Sequence, residues 1–452
     1  MSDNSTVLGV VILARHGDRQ GFYQDPNTYS ATDTEITPLG EKQEFQLGQL
    51  LRSIYLDSSS PSVISGINST IANSTQLIVR ADAGDEGGVI FKSAMALLQG
   101  LFPSNSNDST TLANGTTVTA PLDGYQYIPI ESVDTDNDIS LEGWTQCPAF
   151  DKSTQAFYNS SEFQKKANES SSFLNQLPQY LDGRPVTLQN MFNIFDFINV
   201  QNIHNARFHQ ALPDTFLRQA RDLANYHEYG VFTDPDVAGI GNMPFRAALP
   251  SVLNGLADIK NASQPVKLVY QSISYKPFLS LFNMTGVASM NSSLAGIVNY
   301  AAAVALEVRQ PSDGSEPVLR FKFKNGTEEP DFTTYNFMNT TGDVKLSSFV
   351  DFMTPNAINS TSEWCTICGN TNSRGCDAIS AANAQGRAAA AVHQPISPVG
   401  AGFLGAGLTL FVVLCMLGVM FFLGFLTIGR GRSRQRGRGG ITSEPSSGDA
   451  KA

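Results

Sequence analysis

The feature that most constrains this chain is an uncharged stretch near its C-terminus. Residues 400–428 read GAGFLGAGLTLFVVLCMLGVMFFLGFLTI and contain no Asp, Glu, Lys or Arg. A helix needs roughly 20 apolar residues to cross a bilayer, whereas a core helix seldom stays apolar on every side over that length. We therefore expect a transmembrane helix over residues 400–428, with an Ala-rich linker before it (377–399) and a basic, disordered tail after it (429–452).

Two independent signals predict the orientation of this helix. Arginines follow it directly, at positions 430, 432, 434, 436 and 438, and positive residues flank the cytosolic side of a span. The chain before the span contains Asn-x-Ser/Thr sequons, which are glycosylated in surface loops of secreted domains. These are Asn4, Asn68, Asn73, Asn107, Asn114, Asn159, Asn168, Asn261, Asn283, Asn291, Asn325, Asn339 and Asn359. We expect a glycosylated extracellular or lumenal ectodomain and a cytosolic C-terminus.

The N-terminus disagrees with this topology. Its apolar run, residues 7–13, is short for a signal peptide and has no basic flank. A tail-anchored protein that faces the cytosol would need no signal peptide. Because of the sequons we favour an incomplete N-terminus, and the tail-anchored topology is the alternative.

Cysteine usage fits a secretory compartment. Cys415 lies in the predicted span, and the other cysteines are Cys147, Cys365, Cys368 and Cys376. An even number outside the cell indicates two disulfides, whose pairing the sequence leaves open. A zinc site at the last three would lack a nearby histidine as fourth ligand. We expect neither a metal nor a cofactor.

The charge balance restricts the partners. The whole chain has a formal net charge of −11, and the tail after Ile428 carries six positive and two negative residues, so residues 1–428 carry −11 − 4 = −15. A protein this acidic is a poor partner for the phosphate backbone of nucleic acids. We expect no nucleic acid to bind, and the remaining partners to be the membrane and small ligands.

The periodicity of the chain before the span predicts an α/β fold. Residues 7–14 have the apolar, β-branched character of a buried parallel strand, and a helix should begin at Pro38 with Thr37 as its cap. Further strands are predicted at 76–80, 267–272, 300–309 and 318–324, and a helix at 86–101. The predicted domains are an α/β core in two parts, 1–119 and 251–376, and a mostly helical insert, 120–250.

The richest charged cluster follows the first predicted strand. It is Arg15-His16-Gly17-Asp18-Arg19, at the edge where open α/β sheets bind ligands. Arginine offers planar, paired donors to phosphate, and a histidine held beside it can attack phosphorus. A charged surface loop is the alternative for such a motif taken alone.

The order of strand, Arg-His-Gly-x-Arg and helix resembles the histidine phosphatase superfamily, in particular its acid phosphatase and phytase branch. Other stretches carry the resemblance over roughly residues 7–370: ITPLGEKQEFQLGQLLRSIYL, FKSAMALLQGLFP, FDFINVQNIHN, LVYQSISYKPFLSLFNMTGV, ALEVRQ and VLRFKFKNGT. The resemblance implies a phosphoglycerate mutase-like three-layer sandwich with the helical insert. It also implies that His16 is the nucleophile and that Arg15 and Arg19 bind phosphate.

This sequence departs from the family pattern where catalysis needs it. The family has an arginine four residues before a Ser-Ala pair, and this chain has Val89 there. The family places a phosphate-binding histidine and a proton-donating aspartate after the third strand, and this chain has Ile273 and Ser274. Gly21 replaces the usual proline.

Two functions follow from these departures. The first is an anion-binding pseudophosphatase, and the second is an active acid phosphatase with a non-standard acid. The nearest candidate acid is Asp18, with Asp82 and Asp85 as others and Lys92 as a substitute cation; a mutase would need the same missing acid. We expect the other histidines, His204 and His209 among them, and Glu307 to be structural.

Overall fold

The computed structural model describes residues 5–28, 31–82, 88–133, 138–392, 414–416 and 420. The chain divides into two units, residues 1–381 and residues 382–452. The fold and the site described below belong to the first unit.

The strands of the first unit are β1 (Ser5–Arg15), β2 (Leu77–Asp82), β3 (Ser109–Thr111), β4 (Thr117–Thr119), β5 (Glu131–Val133), β6 (Leu268–Ile273), β7 (Ala303–Pro311), β8 (Val318–Lys324), β9 (Thr333–Tyr335) and β10 (Val344–Lys345). The helices are α1 (Pro38–Tyr55), α2 (Val89–Leu101), α3 (Pro121–Gly124), α4 (Pro148–Tyr158), α5 (Ser161–Leu174), α6 (Met191–His204), α7 (Ala206–Ala211), α8 (Asp214–Val231), α9 (Met243–Lys260), α10 (Lys276–Met284), α11 (Val287–Met290), α12 (Leu346–Met353), α13 (Thr361–Cys368) and α14 (Cys376–Val392), the last of which extends beyond the unit.

The main sheet is mixed. Its strand order is β10-β8-β7-β1-β6-β2-β5, with β9 beside β8. The neighbours β1 and β6, β6 and β2, and β2 and β5 run parallel, whereas β7 runs antiparallel to both β1 and β8. The α/β class expected from the sequence is confirmed.

The central strand β1 is buried on both faces. Val11 and Leu13 belong to one core cluster, and Val10 and Ile12 belong to the other. This explains why its sequence is a continuous apolar run rather than an alternating one. Its carboxyl end is therefore fixed deep in the molecule, where the charged cluster begins.

The helical region differs slightly from the predicted insert. Long helices fill the chain from Pro148 to Lys260, while strand β5 also lies inside the range 120–250. β5 pairs with β2, so this part of the range belongs to the main sheet. The domain boundaries themselves stay predictions.

The C-terminal region begins with a helix. The first part of the predicted linker is helical, over Cys376–Val392, as its alanines favour. Within the described ranges, none of the helices has the length and apolarity needed to cross a membrane. The predicted span 400–428 lies outside the described residues except for 414–416 and 420, and the predicted tail lies outside them entirely.

Candidate functional site

The charged cluster leaves the carboxyl end of β1 and is held by its neighbours. Arg15 is in register with Ile273 of β6. The backbone N–H of His16 donates to the Ile273 carbonyl at 3.2 Å, and that of Arg15 donates to the Ala302 carbonyl at 2.8 Å. The backbone of the predicted nucleophile is thus fixed between β6 and the segment that precedes β7.

Two glycines allow α1 to pack directly on this loop. A Cβ atom on Gly17 would lie 2.4 Å from the Gly40 carbonyl oxygen, and one on Gly40 would lie 2.1 Å from the Asp18 carbonyl oxygen. Thr37 caps α1 by accepting from the Gly40 N–H, as predicted. The Thr37 hydroxyl also donates to Asp18 Oδ2 at 2.5 Å. The start of α1 and the charged loop therefore form one rigid corner.

The hydrogen bond of His16 determines which of its ring nitrogens carries the proton. Its Nδ1 lies 2.8 Å from the Gly17 carbonyl oxygen, which can only accept, so Nδ1 carries the proton and Nε2 keeps its lone pair. Burial lowers the pKa of His16 well below its ordinary value, and the charges of Arg15 and Arg19 lower it further. The imidazole therefore stays neutral, as attack on phosphorus requires.

Arg15 is buried between aromatic rings. Its guanidinium lies 4.4 Å from the centre of the Tyr300 ring and 5.1 Å from that of Tyr275, and it donates to the Val298 carbonyl. Its Nε is buried with no hydrogen-bond partner. Arg15 is therefore held by its neighbours, and its Nε–H is a buried donor that no described residue satisfies.

Arg19 forms an ion pair that the sequence did not reveal. Its two terminal nitrogens donate to the two oxygens of Asp196, at 2.8 and 3.2 Å. Asp196 also accepts from the Phe22 N–H at 3.2 Å. The paired donors that phosphate would use are already engaged by a carboxylate.

The positions that depart from the family pattern are apolar or neutral in the structure. Val89 begins α2 and is fully buried, as is Ile273. Ser274 is buried and its Oγ has no hydrogen-bond partner. Lys276 is also buried, and its Nζ donates to Gln24 Oε1 at 3.2 Å; its charge is one of those that lower the pKa of His16.

The structure corrects the expected role of His204. The Nε2 atom of His204 lies 2.7 Å from Asp18 Oδ2, although packing was expected for this histidine. Asp18 Oδ2 also accepts from the Thr37 hydroxyl, whereas Asp18 Oδ1 is buried with no hydrogen-bond partner in the described part of the chain. The predicted substitute acid is therefore held by His204 and Thr37 through one of its two oxygens.

Three of the remaining predicted residues, Lys92, Asp82 and His209, lie in the part of the chain that the structure describes. Lys92 is exposed on α2 and lines a groove with Phe45 and Met95. Asp82 ends β2, and Asp85 lies outside the described residues. His209 contacts Asn202 through its Nδ1 at 3.0 Å. Asp82 is buried, and the residue before it, Ala81, is in register with Ser272 of β6, so Asp82 lies at the same edge of the sheet as the end of β1.

Two further polar groups are structural. Glu307 accepts from the Tyr55 hydroxyl at 2.9 Å and from Arg309 at 2.5 Å. His227 lies between Tyr158 and Glu228, at 2.9 and 2.8 Å. Each pair is buried and partnered, which is how such groups are tolerated in a core.

The four cysteines form two disulfides, Cys147–Cys368 and Cys365–Cys376. Most sequon asparagines are exposed: Asn68, Asn73, Asn107, Asn114, Asn159, Asn168, Asn261, Asn339 and Asn359. Asn291 and Asn325 are partly buried, and Asn4 lies outside the described residues. Asn283 is unsuited to a glycan because its amide nitrogen donates to the Asp234 carbonyl and to Asn242.

A cavity of about 400 Å³ adjoins the site. Its wall includes Arg15, Asp196 and Tyr300, and side chains from α6 and α8 complete it. Because Arg15 and Asp196 line it, this cavity borders the charged cluster. The signal for Asp196 in the sequence was a charged residue inside the apolar stretch FDFINV.

Comparison with known proteins decides the family. The model of the histidine phosphatase superfamily (branch 2) matches residues 20–324. The chain belongs to this family. The cluster from Arg15 to Arg19 lies directly before the matched range, and the degenerate positions lie within it.

Curated relatives of the family are acid phosphatases. The chain is 25% identical to prostatic acid phosphatase of Bos taurus over 267 residues, which is 57% of this chain and 62% of the relative. It is 26% identical to lysosomal acid phosphatase of Xenopus laevis over 203 residues, 43% of this chain and 42% of the relative. With testicular acid phosphatase of Homo sapiens it shares 22% identity over 335 residues, 70% of this chain and 72% of the relative. The first two alignments thus span less than two thirds of those relatives.

Solved structures share the fold. The phytase of Hafnia alvei in complex with tartrate has a TM-score of 0.55 at 10% identity, covering 79% of this chain and 98% of that one. The phytase of Citrobacter braakii has a TM-score of 0.54 at 14% identity, covering 79% and 99%. At this identity the likeness concerns the fold alone.

Proposed function

We propose that this chain is an acid phosphatase-like protein that binds a phosphate or phosphate ester but has little or no phosphomonoesterase activity. The observation that carries this proposal is the identity of the two residues at the end of β6, Ile273 and Ser274. Ile273 is in register with Arg15 and its carbonyl holds the His16 N–H. The strand ends with the sec-butyl side chain of Ile273 and is followed by the hydroxyl of Ser274, and neither is an imidazole or a carboxylate.

The cost of these departures is large. A positioned general acid contributes about 10²–10⁴ in rate. Each charged hydrogen bond to a phosphate contributes roughly 1.5–3 kcal/mol, and two such donors are missing, at Val89 and Ile273. The ion pair of Arg19 with Asp196 reduces phosphate binding further. Together these effects reduce turnover towards the background rate.

Anion binding survives these losses in the proposal. His16, Arg15 and Arg19 remain at the carboxyl end of β1. Arg15 Nε and Ser274 Oγ are buried without partners, and such groups are normally satisfied by a ligand or water. The charge of Lys276 adds to the positive potential around His16. A single tetrahedral anion would satisfy these donors.

The test is hydrolysis of an aryl phosphate by the full-length chain across about pH 3–8, beside a His16→Ala control. Equal rates for the two proteins support the proposal, because an aryl leaving group needs little protonation and even an acid-less phosphatase would act on it. Hydrolysis well above background that vanishes in His16→Ala overturns it.

One observation favours a second function, an active acid phosphatase with a phospho-His16 intermediate. The pair of His204 and Asp18, at 2.7 Å, is a proton-bearing pair near the nucleophile. In this alternative His204 protonates the leaving group while Asp18 stabilises its charge. His204→Asn would then reduce hydrolysis of alkyl phosphates much more than that of aryl phosphates.

We also propose that the protein is anchored by residues 400–428, with its phosphatase-like domain extracellular or lumenal, its C-terminus cytosolic and its core a phosphoglycerate mutase-like sandwich with a helical insert. The uncharged run, the arginines after it, the exposed sequons and the two disulfides support this topology. Glycosidase treatment of membranes from expressing cells tests it. A decrease in the mass of the protein supports this topology. In sealed vesicles whose outer face is the cytosolic one, digestion of the whole domain by added protease contradicts it.

A further inference from the structure

The cavity beside the charged cluster has an apolar wall. Its apolar side chains come from three separate parts of the chain: Phe195, Ile203, Leu217, Ile297 and Val298. Ile203 is 42% exposed although it is a large aliphatic residue. Exposed aliphatic groups that gather around a concave surface are typical of a ligand-binding pocket.

Two helices, α6 and α8, carry several of the residues that line the cavity. Phe195, Asn199 and Ile203 are spaced by four on α6, so they lie on one face of that helix. Leu217 and Arg221 are spaced by four on α8 and form the facing wall. Helix α6 also carries Asp196, the partner of Arg19. The same helix therefore contributes both to the charged site and to the apolar surface of the cavity.

The lining of the cavity carries equal numbers of basic and acidic side chains. Its basic side chains are Arg15 and Arg221, and its acidic ones are Asp196 and Glu328. Arg221 donates to the Ile297 carbonyl at 2.9 Å and so stabilises the wall itself. Burial lowers the pKa of Arg221, because desolvation disfavours its charge. Because Asp196 is already paired with Arg19, a ligand with several phosphates would meet the carboxylate of Glu328 and a guanidinium, that of Arg221, which is already engaged by a carbonyl.

We infer that the cavity takes a monophosphate ester with one anionic group and an apolar body, in preference to a multiply phosphorylated ligand. The phosphate lies at Arg15 and His16, which rests on the proposed function. The apolar body lies against Ile203 and Leu217, and Asn199 offers it an amide. The carboxylate of Glu328 and the engagement of Arg221 by the Ile297 carbonyl disfavour additional phosphates.

The test compares non-hydrolysable ligands by titration calorimetry with the full-length chain at physiological salt. Methylphosphonate carries the head group alone, 1-naphthylmethylphosphonate adds an apolar body, and inositol hexakisphosphate adds phosphates instead. Burying a naphthyl ring should tighten binding by about tenfold or more. The hexakisphosphate should bind no more tightly than methylphosphonate.

Matched variants locate the apolar contact. Ile203→Ala should reduce the preference for the naphthyl ligand by about threefold and leave the affinity for methylphosphonate unchanged. Val118→Ala, at an aliphatic residue that is 47% exposed on β4, should change neither. If Ile203→Ala also unfolds the protein, Leu217→Ala provides the same comparison.

The outcomes separate this inference from the proposed function. Equal affinities for methylphosphonate and the naphthyl ligand, or tightest binding of the hexakisphosphate, would overturn the inference while anion binding stands. Failure of all three ligands to bind would overturn the proposed function and the inference with it. The naphthyl preference, reduced in Ile203→Ala, supports both.

Discussion

Replacing Ser274 by aspartate should restore part of the missing chemistry. Ser274 is 2% exposed and its Oγ has no hydrogen-bond partner. It follows β6 directly, beside the segment that holds His16. A carboxyl group there would occupy the position from which the family protonates the leaving group, and it would do so in the neutral form, which is not penalised by burial.

The expected gain follows from the role of a general acid. Such a group contributes about 10²–10⁴ in rate, or roughly 3–5 kcal/mol of barrier. The gain should appear with an alkyl phosphate, whose alkoxide leaves poorly without a proton. With an aryl phosphate it should be about tenfold or less. Absolute rates should stay low, because Val89 and the pairing of Arg19 are unchanged.

The assay compares wild type, Ser274→Asp and Ser274→Asn with glycerol phosphate and 4-nitrophenyl phosphate at about pH 5. Asparagine has the shape of aspartate but no proton to donate, so it should behave like wild type. The rate of Ser274→Asp should fall as the pH rises and its carboxyl group ionises. Equal rates for the aspartate and asparagine variants on glycerol phosphate would refute the reasoning.

Three further predictions concern stability and affinity. Glu44 is buried with neither oxygen partnered, and burial raises its pKa well above 4.5. Relative to wild type, Glu44→Leu should therefore increase the free energy of unfolding by up to about 1.4 kcal/mol for each pH unit above 4.5, measured by denaturant titration. Asp196→Asn should tighten phosphate binding by about tenfold in calorimetry, since it removes the carboxylate on Arg19. Loss of Cys147–Cys368, which joins residues 221 apart, should lower the melting temperature more than loss of Cys365–Cys376, which joins residues 11 apart.

The sign of the Glu44 effect follows from linkage. The unfolded chain loses this proton above about pH 4.5, whereas the folded protein keeps it, so stability falls as the pH rises towards the folded pKa. A constant difference in the free energy of unfolding between wild type and Glu44→Leu across pH 5–8 would contradict this.

For Asp196, the control is Asp343→Asn, which breaks a similar ion pair with Arg320 far along the chain. Equal effects of the two variants on phosphate affinity would show that Asp196 does not act on the anion site. Equal melting temperatures after loss of either disulfide would contradict the third prediction.

The local sequence predicted the elements that carry the nucleophile. Strand β1, the cap at Thr37 and strand β8 (Val318–Lys324) lie where the apolar periods and capping residues placed them. These features depend on neighbours a few residues apart, which periodicity detects. The family resemblance then directed attention to Ile273 and Ser274.

Long-range partners could not be predicted in this way. Asp196 meets Arg19 across 177 residues, and His204 meets Asp18 across 186. Both partners lie on α6, whose position over the charged loop depends on tertiary packing rather than on local propensity. Polar residues within an apolar helix were the only sign of these contacts, and such residues are as often exposed as paired.

The central claim is binding without turnover at His16, and a single-turnover experiment tests it most directly. Excess full-length protein is mixed with radiolabelled phenyl phosphate, and the bound and released label are separated and identified. We expect wild type to retain the ester, the ester to be recovered intact, and Arg15→Ala not to retain it. Release of inorganic phosphate, or label on the protein that is absent from His16→Ala, would show that His16 turns the ester over.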